Sequence, residues 1–174
     1  MGNIDRDLYR GGLFPPWYIS KKNGGTEMFR KRNRLESYTY DATGYYFVTV
    51  CTRDKEKLFW ENNAPCRVPV LSEDGRCVEK YLRKIESVYP CVLVDKYAIM
   101  PNHIHMILHL TAEGGANVST IMQNFKRAVT MALGKSVWQR NFHDHVIRGE
   151  RDYRKIWTYI DGNPQKWSED CYFE

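Results

Sequence analysis

The sequence predicts an α+β domain, an antiparallel sheet with helices on one face and an added C-terminal helix. Three observations predict it. Runs rich in β-branched and aromatic residues lie at 45–51, 91–100 and 103–110. Apolar residues at helical spacing recur at 78–89, 118–133 and 153–160. Turn residues separate each pattern from the next. With an extended segment near 137–146, the order becomes strand, helix, strand, strand, helix, strand, which is the split βαβ or ferredoxin-like arrangement.

Residues 1–28 carry Gly11-Gly12, Pro15-Pro16 and Gly24-Gly25 and follow neither period, so they read as an N-terminal extension. The domain proper is expected over 29–167, with a short tail at 168–174. Its first strand is Tyr45-Tyr46-Phe47-Val48-Thr49-Val50-Cys51. Ser72-Glu73-Asp74 can cap a helix that places Val78, Leu82, Ile85 and Tyr89 on one side until Pro90 ends it. A second strand over 91–100 meets the turn Pro101-Asn102, and the chain returns as His103-Ile104-His105-Met106-Ile107-Leu108-His109-Leu110, completing a hairpin. Past Gly114-Gly115, Val118, Ile121, Met122, Phe125, Val129 and Leu133 form the apolar face of a helix closed by Gly134. The last pattern starts near Gly149 and sets Tyr153, Ile156, Trp157 and Ile160 at i, i+3, i+4 and i+7 before Asn163-Pro164.

Composition narrows the class of function. Hydrophobic residues make up 43% and charged residues 27% of the 174, as in globular domains. No apolar run approaches the ~20 residues that cross a bilayer, and the N-terminus lacks a basic-then-apolar signal, so a cytoplasmic protein is expected. The five scattered cysteines contain no C-x-x-C pair and read as free thiols. Lys and Arg outnumber acids 26 to 21, for a net charge of +5. The cations gather at Arg30-Lys31-Arg32-Asn33-Arg34 and again from Lys126 to Lys155, interleaved with aromatics, which suits a polyanionic partner as well as it suits a solvated face.

Two constellations carry chemistry. His103 and His105 share one face of their strand, and a buried pair of imidazoles needs a metal, a carboxylate or ordinary hydrogen-bond partners. Spacing alone leaves these readings open. His109 has the same parity, so a three-histidine set stays open as well. On the last helix Tyr159 falls about 100° or more from much of the apolar stripe, so packing is expected not to need it. Asn163 follows one turn later on the same face.

These residues resemble the REP-associated, or IS-two-hundred-like, tyrosine transposases of the HUH endonuclease superfamily. The likeness runs from about Arg30 to Trp167 in five ordered blocks: FRKRNRLESYTY, GYYFVTVCTRDKEKLF, YAIMPNHIHMIL, STIMQNFKRAVT and VWQRNFHDHVIRGERDYRKIWTYIDGNPQKW. It implies that His103 and His105 are the HUH histidines, that Asn163 is a third metal ligand, and that Tyr159 is a nucleophile forming a 5′-phosphotyrosine. The implied cofactor is Mg²⁺ or Mn²⁺, although two imidazoles and an amide oxygen would suit zinc as well by ligand softness. The implied substrate is single-stranded DNA with hairpin or repeat ends, with Arg30, Arg32, Arg34, Lys126 and Arg127 as candidate backbone contacts. A homodimer sharing its sites in trans and a single chain acting alone are both compatible with the sequence. So are a domesticated repeat-processing nuclease, an origin nickase, and a non-catalytic ferredoxin-like module that binds nucleic acid. The second H-x-H, His143-Asp144-His145, reads as structural or DNA-contacting.

Overall fold

A computed structural model describes residues 43–112 and 115–173, and the extension with Arg30, Arg32 and Arg34 lies outside them. The element order is β1 (Gly44–Cys51), α1 (Glu73–Arg83), a single turn α2 (Ile85–Val88), β2 (Val92–Ile99), β3 (His103–Leu110), α3 (Val118–Leu133), β4 (His143–Ile147) and α4 (Glu150–Gly162). The four strands pair antiparallel in the order β2-β3-β1-β4. This is the predicted arrangement.

Local chemistry sets the boundaries. Ser72 Oγ accepts the Gly75 N–H at 3.0 Å and starts α1, and Asn117 Oδ1 accepts the Thr120 N–H at 2.8 Å and starts α3. Gly134 ends α3 at φ 65°, a conformation that costs an L side chain energy and glycine almost none. β1 and β3 sit at the centre of the sheet and are buried along nearly their whole length, which explains their continuous apolar runs.

The two sheet faces have different covers. Tyr97, opposite Met106, hydrogen-bonds to Glu79 of α1, so α1 packs on the face of Val48, Val50, Ile104 and Met106. α3 packs beside α1. The other face carries Phe47, Thr49, His103 and His105, and α4 lies across it. Both predicted helices of the split βαβ therefore share one face, and the added helix covers the other.

The apolar stripe of α4 differs from the one expected. Ile156, Tyr159 and Ile160 are buried, whereas Trp157 is 37% exposed and lies 4.0 Å below the Lys96 ammonium. Tyr159, with 8% exposure, belongs to the core of this face. An indole stacked under a lysine can sit at the rim as well as inside, so helical spacing around Trp157 pointed to the wrong flank.

Gly75 is needed for close approach. A Cβ there would overlap the Phe59 carbonyl oxygen, which is itself fixed by accepting the Ser72 N–H at 2.9 Å. Gly75→Ala is expected to cost about 1–3 kcal/mol through backbone displacement, despite alanine's higher helix propensity. A urea melt of the variant checks this, and an unchanged midpoint would contradict it.

Candidate active site

The site forms where the ends of β1 and β3 meet the last third of α4. Cys51 pairs with His103 and Thr49 with His105. Strand alternation points both imidazoles at α4, helix spacing brings Tyr159 onto His105, and Asn163, one turn further on, lies beside Asp170. His103, His105 and Asn163 are 0–1% exposed.

The hydrogen-bond network fixes the tautomer of His103 and leaves two for His105. Asn102 Nδ2 donates to the carbonyls of Tyr172 at 2.6 Å and Lys55 at 3.4 Å, which turns its Oδ1 toward His103 Nδ1 at 2.9 Å. His103 therefore keeps its proton on Nδ1 and presents a lone pair at Nε2. That lone pair faces His105 Nε2 at 2.9 Å. His105 Nδ1 lies 2.8 Å from Thr49 Oγ1, a hydroxyl that can donate or accept. With Thr49 donating, the proton of His105 sits on Nε2 and bridges the pair. With Thr49 accepting, both Nε2 lone pairs converge on one point.

Electrostatics favour neutral rings. Burial, then the neighbouring His105, holds His103 well below the usual imidazole range, and burial brings His105 down to about 3. Neutral imidazole is the form that binds metal.

Tyr159 closes the site from the helix side. Its hydroxyl lies 3.2 Å from His105 Nε2 and donates to Asp170 Oδ2 at 3.3 Å. Burial, then the Asp170 carboxylate, pushes the phenol far above its ordinary range. In this arrangement the phenol is protonated, and making it a nucleophile requires positive charge nearby.

Several observations bear on whether a cation fits. The two Nε2 atoms lie 2.9 Å apart, close enough for one ion to be shared between them, and the Asp170 carboxylate lies within reach of both. Neither amide atom of buried Asn163 completes a hydrogen bond of normal geometry, although its proximity helps hold the charge of Asp170. A buried amide without partners is costly unless something else occupies it. The residues fit a divalent ion.

His109 stands apart from this cluster. Four residues along the strand, roughly 13 Å from His105, it stacks on Tyr45 with ring centres 4.0 Å apart. His145 has a structural partner: its Nε2 lies 2.9 Å from Asp152, whose carboxylate also accepts the Arg148 N–H at the start of α4. Lys126 and Arg127, the candidate DNA contacts within the described residues, line an open groove with Arg53, Lys55, Trp138 and Arg140. Lys126 is half-buried, and its ammonium donates to the carbonyls of Gln139 (2.5 Å) and Arg140 (3.0 Å), so it also braces the groove wall.

Sequence reasoning missed Thr49, Asn102 and Asp170. Asn102 precedes the H-x-H directly and read as a turn residue; its second use as the orienter of His103 had no separate signal. Asp170 lies in the segment expected to be a tail.

Comparisons with known proteins place the chain among relatives. No family model matches it. It is 36% identical over 128 residues to a REP-associated tyrosine transposase of Escherichia coli strain K12, covering 73% of this chain and 70% of the relative. An uncharacterized protein of Haemophilus influenzae is 32% identical over 176 residues, covering 87% and 96%. Among solved structures, a REP-associated tyrosine transposase bound to a REP hairpin superposes with a TM-score of 0.60 at 27% identity, covering 77% of this chain and 74% of that one.

Proposed function

Because the chain belongs to the family of REP-associated tyrosine transposases, enzymes that act on DNA, we propose that it cleaves and rejoins single-stranded hairpin DNA through a covalent bond to Tyr159. The observation that carries this reading is the convergence of Tyr159 Oη on the His103–His105 pair, 3.2 Å from His105 Nε2, with the buried amide of Asn163 and the Asp170 carboxylate alongside.

Each residue has a definable task. His103, oriented by Asn102, and His105, oriented by Thr49, would hold a divalent cation together with Asn163. Mg²⁺ or Mn²⁺ bound there supplies positive charge that polarises the phosphodiester and favours ionisation of the phenol. Tyr159 Oη attacks phosphorus, the P–O3′ bond breaks, and the departing 3′ oxygen takes up a proton while the phenol loses one. The products are a 5′-phosphotyrosine and a free 3′-OH. Phosphodiester energy is retained in the new ester, so attack by another 3′-OH reverses the step and joins different strands without ATP. In this reading one protomer supplies all of these groups.

The groove beside Arg127 is the proposed path of the DNA backbone. Arg53 follows two residues after Cys51, which pairs with His103, so the groove opens at the histidine end of the sheet. Arg127 is exposed and makes no salt bridge among the described residues. Arg127→Ala is expected to weaken hairpin binding and lower the slope of log affinity against log salt by about one, with melting unchanged. A fluorescence-anisotropy titration at several salt concentrations checks it, and an unaltered slope would remove Arg127 from the interface.

The function is tested by incubating labelled single-stranded hairpin DNA from the gene's flanks with the protein in Mg²⁺, Mn²⁺ or EDTA. A protein–DNA adduct that survives denaturing electrophoresis and disappears with EDTA supports the proposal. Binding that ignores chelator and never yields an adduct supports the non-catalytic module instead.

A further inference from the structure

The chain does not leave the domain after α4. Helical turns over Asn163–Glu169 lead it back across the site, anchored by Trp167, which is wholly buried with its ring 6.0 Å from His103 and 6.3 Å from Trp60. The turn ends by delivering Asp170, 5% exposed, beside the histidines. One ligand atom from each of His103, His105 and Asp170 lies within 4.8 Å of the other two.

The two carboxylate oxygens have different surroundings. Oδ1 accepts the Tyr172 N–H at 2.7 Å, which fixes the rotamer, and Oδ2 turns inward toward Tyr159. The Tyr172 carbonyl accepts from Asn102 Nδ2, and the Tyr172 ring packs 4.5 Å from that of His103. One asparagine thus orients a histidine with its oxygen and pins the Asp170 segment with its nitrogen. Among the described residues Asp170 makes no salt bridge. A carboxylate buried among rings without a cation is poorly placed, and a divalent ion would satisfy it together with the imidazole lone pairs and the Asn163 amide.

We propose that Asp170 is a fourth protein ligand of the cation held by His103, His105 and Asn163, so that metal binding and docking of the segment 167–173 are one coupled event. The inference rests on the metal reading proposed above and extends it to a residue outside the histidine and tyrosine motifs. It also bears on metal choice. Two imidazoles and an amide suit zinc as readily as manganese, whereas adding a charged oxygen moves the donor set toward Mn²⁺ and Mg²⁺.

The test measures Mn²⁺ binding without DNA, by the electron paramagnetic resonance signal of free Mn²⁺, on the full chain and on Asp170→Asn, Asp170→Glu and His103→Ala. Asparagine keeps an oxygen for the Tyr172 N–H, and glutamate keeps the charge; a cooperative melt without metal verifies each fold. Asp170→Asn is expected to weaken Mn²⁺ binding at least about tenfold, as loss of a metal-site partner does, with glutamate recovering part of it. Wild-type affinity in Asp170→Asn, alongside lost binding in His103→Ala, would overturn the fourth ligand and leave the histidine site standing. Unchanged binding in both variants would remove the metal reading itself.

Discussion

Tyr159→Phe is expected to abolish the covalent adduct and reduce cleavage of hairpin DNA by a factor on the order of 10⁴ or more, the scale of losing a nucleophile. The same variant should fold almost unchanged. Its ring stays in the core against Phe47, with ring centres 6.4 Å apart in the parent protein, and only the hydroxyl is removed. That hydroxyl makes two long hydrogen bonds, to Asp170 at 3.3 Å and with His105 at 3.2 Å, so its loss is expected to cost about 1 kcal/mol. Hairpin affinity should stay within a few-fold, because the phenol meets the phosphate during reaction more than it holds the DNA. Single-turnover cleavage, anisotropy and thermal melting of one preparation separate the three effects. Residual adduct in the phenylalanine variant would place the nucleophile elsewhere.

Burial, then the Asp170 carboxylate, holds the Tyr159 phenol protonated. Under the proposed mechanism its attack would therefore depend on positive charge at the histidine pair next to it.

Much of the fold was legible because it rests on periodicity. The runs at 45–51 and 103–110 are long, apolar and bounded by turn chemistry, and both became central strands. The H-x-H was legible for the same reason, since strand parity alone puts His103 and His105 on one face. The flank of α4 that faces the sheet was not. Tyr159 and Trp157 are each amphipathic, and only the tertiary position of Lys96, with its ion pair to Asp161 and its contact with Trp157, drew the indole outward. Lys126 illustrates a similar limit: composition marks it as a cation, but its two carbonyl partners depend on where residues 139–140 fold. Asp170 had no periodic signal, because its placement is set by Trp167 and Asn102, contacts made across the chain.

Asn163→Leu is expected to move stability and activity in opposite directions. The side chains are similar in volume, and the pocket around Asn163 includes buried Pro164 and Trp167. The amide is 1% exposed and neither of its polar atoms completes a hydrogen bond of normal geometry among the described residues, so removing them eliminates a desolvation cost of about 1–3 kcal/mol. Against this stands the small support the amide gives to the Asp170 charge. Burial already weakens that charge, so the balance favours leucine by about 1 kcal/mol. Activity should fall at least about 100-fold, because leucine offers no oxygen to a cation beside the histidines. A higher melting temperature without metal, a smaller metal-induced increase in it and a slower cleavage rate together would identify the amide as a group retained for function at the expense of stability. A lower melting temperature in the metal-free variant would mean that the amide is a structural support, and Asn163 would then lose its place among the proposed ligands.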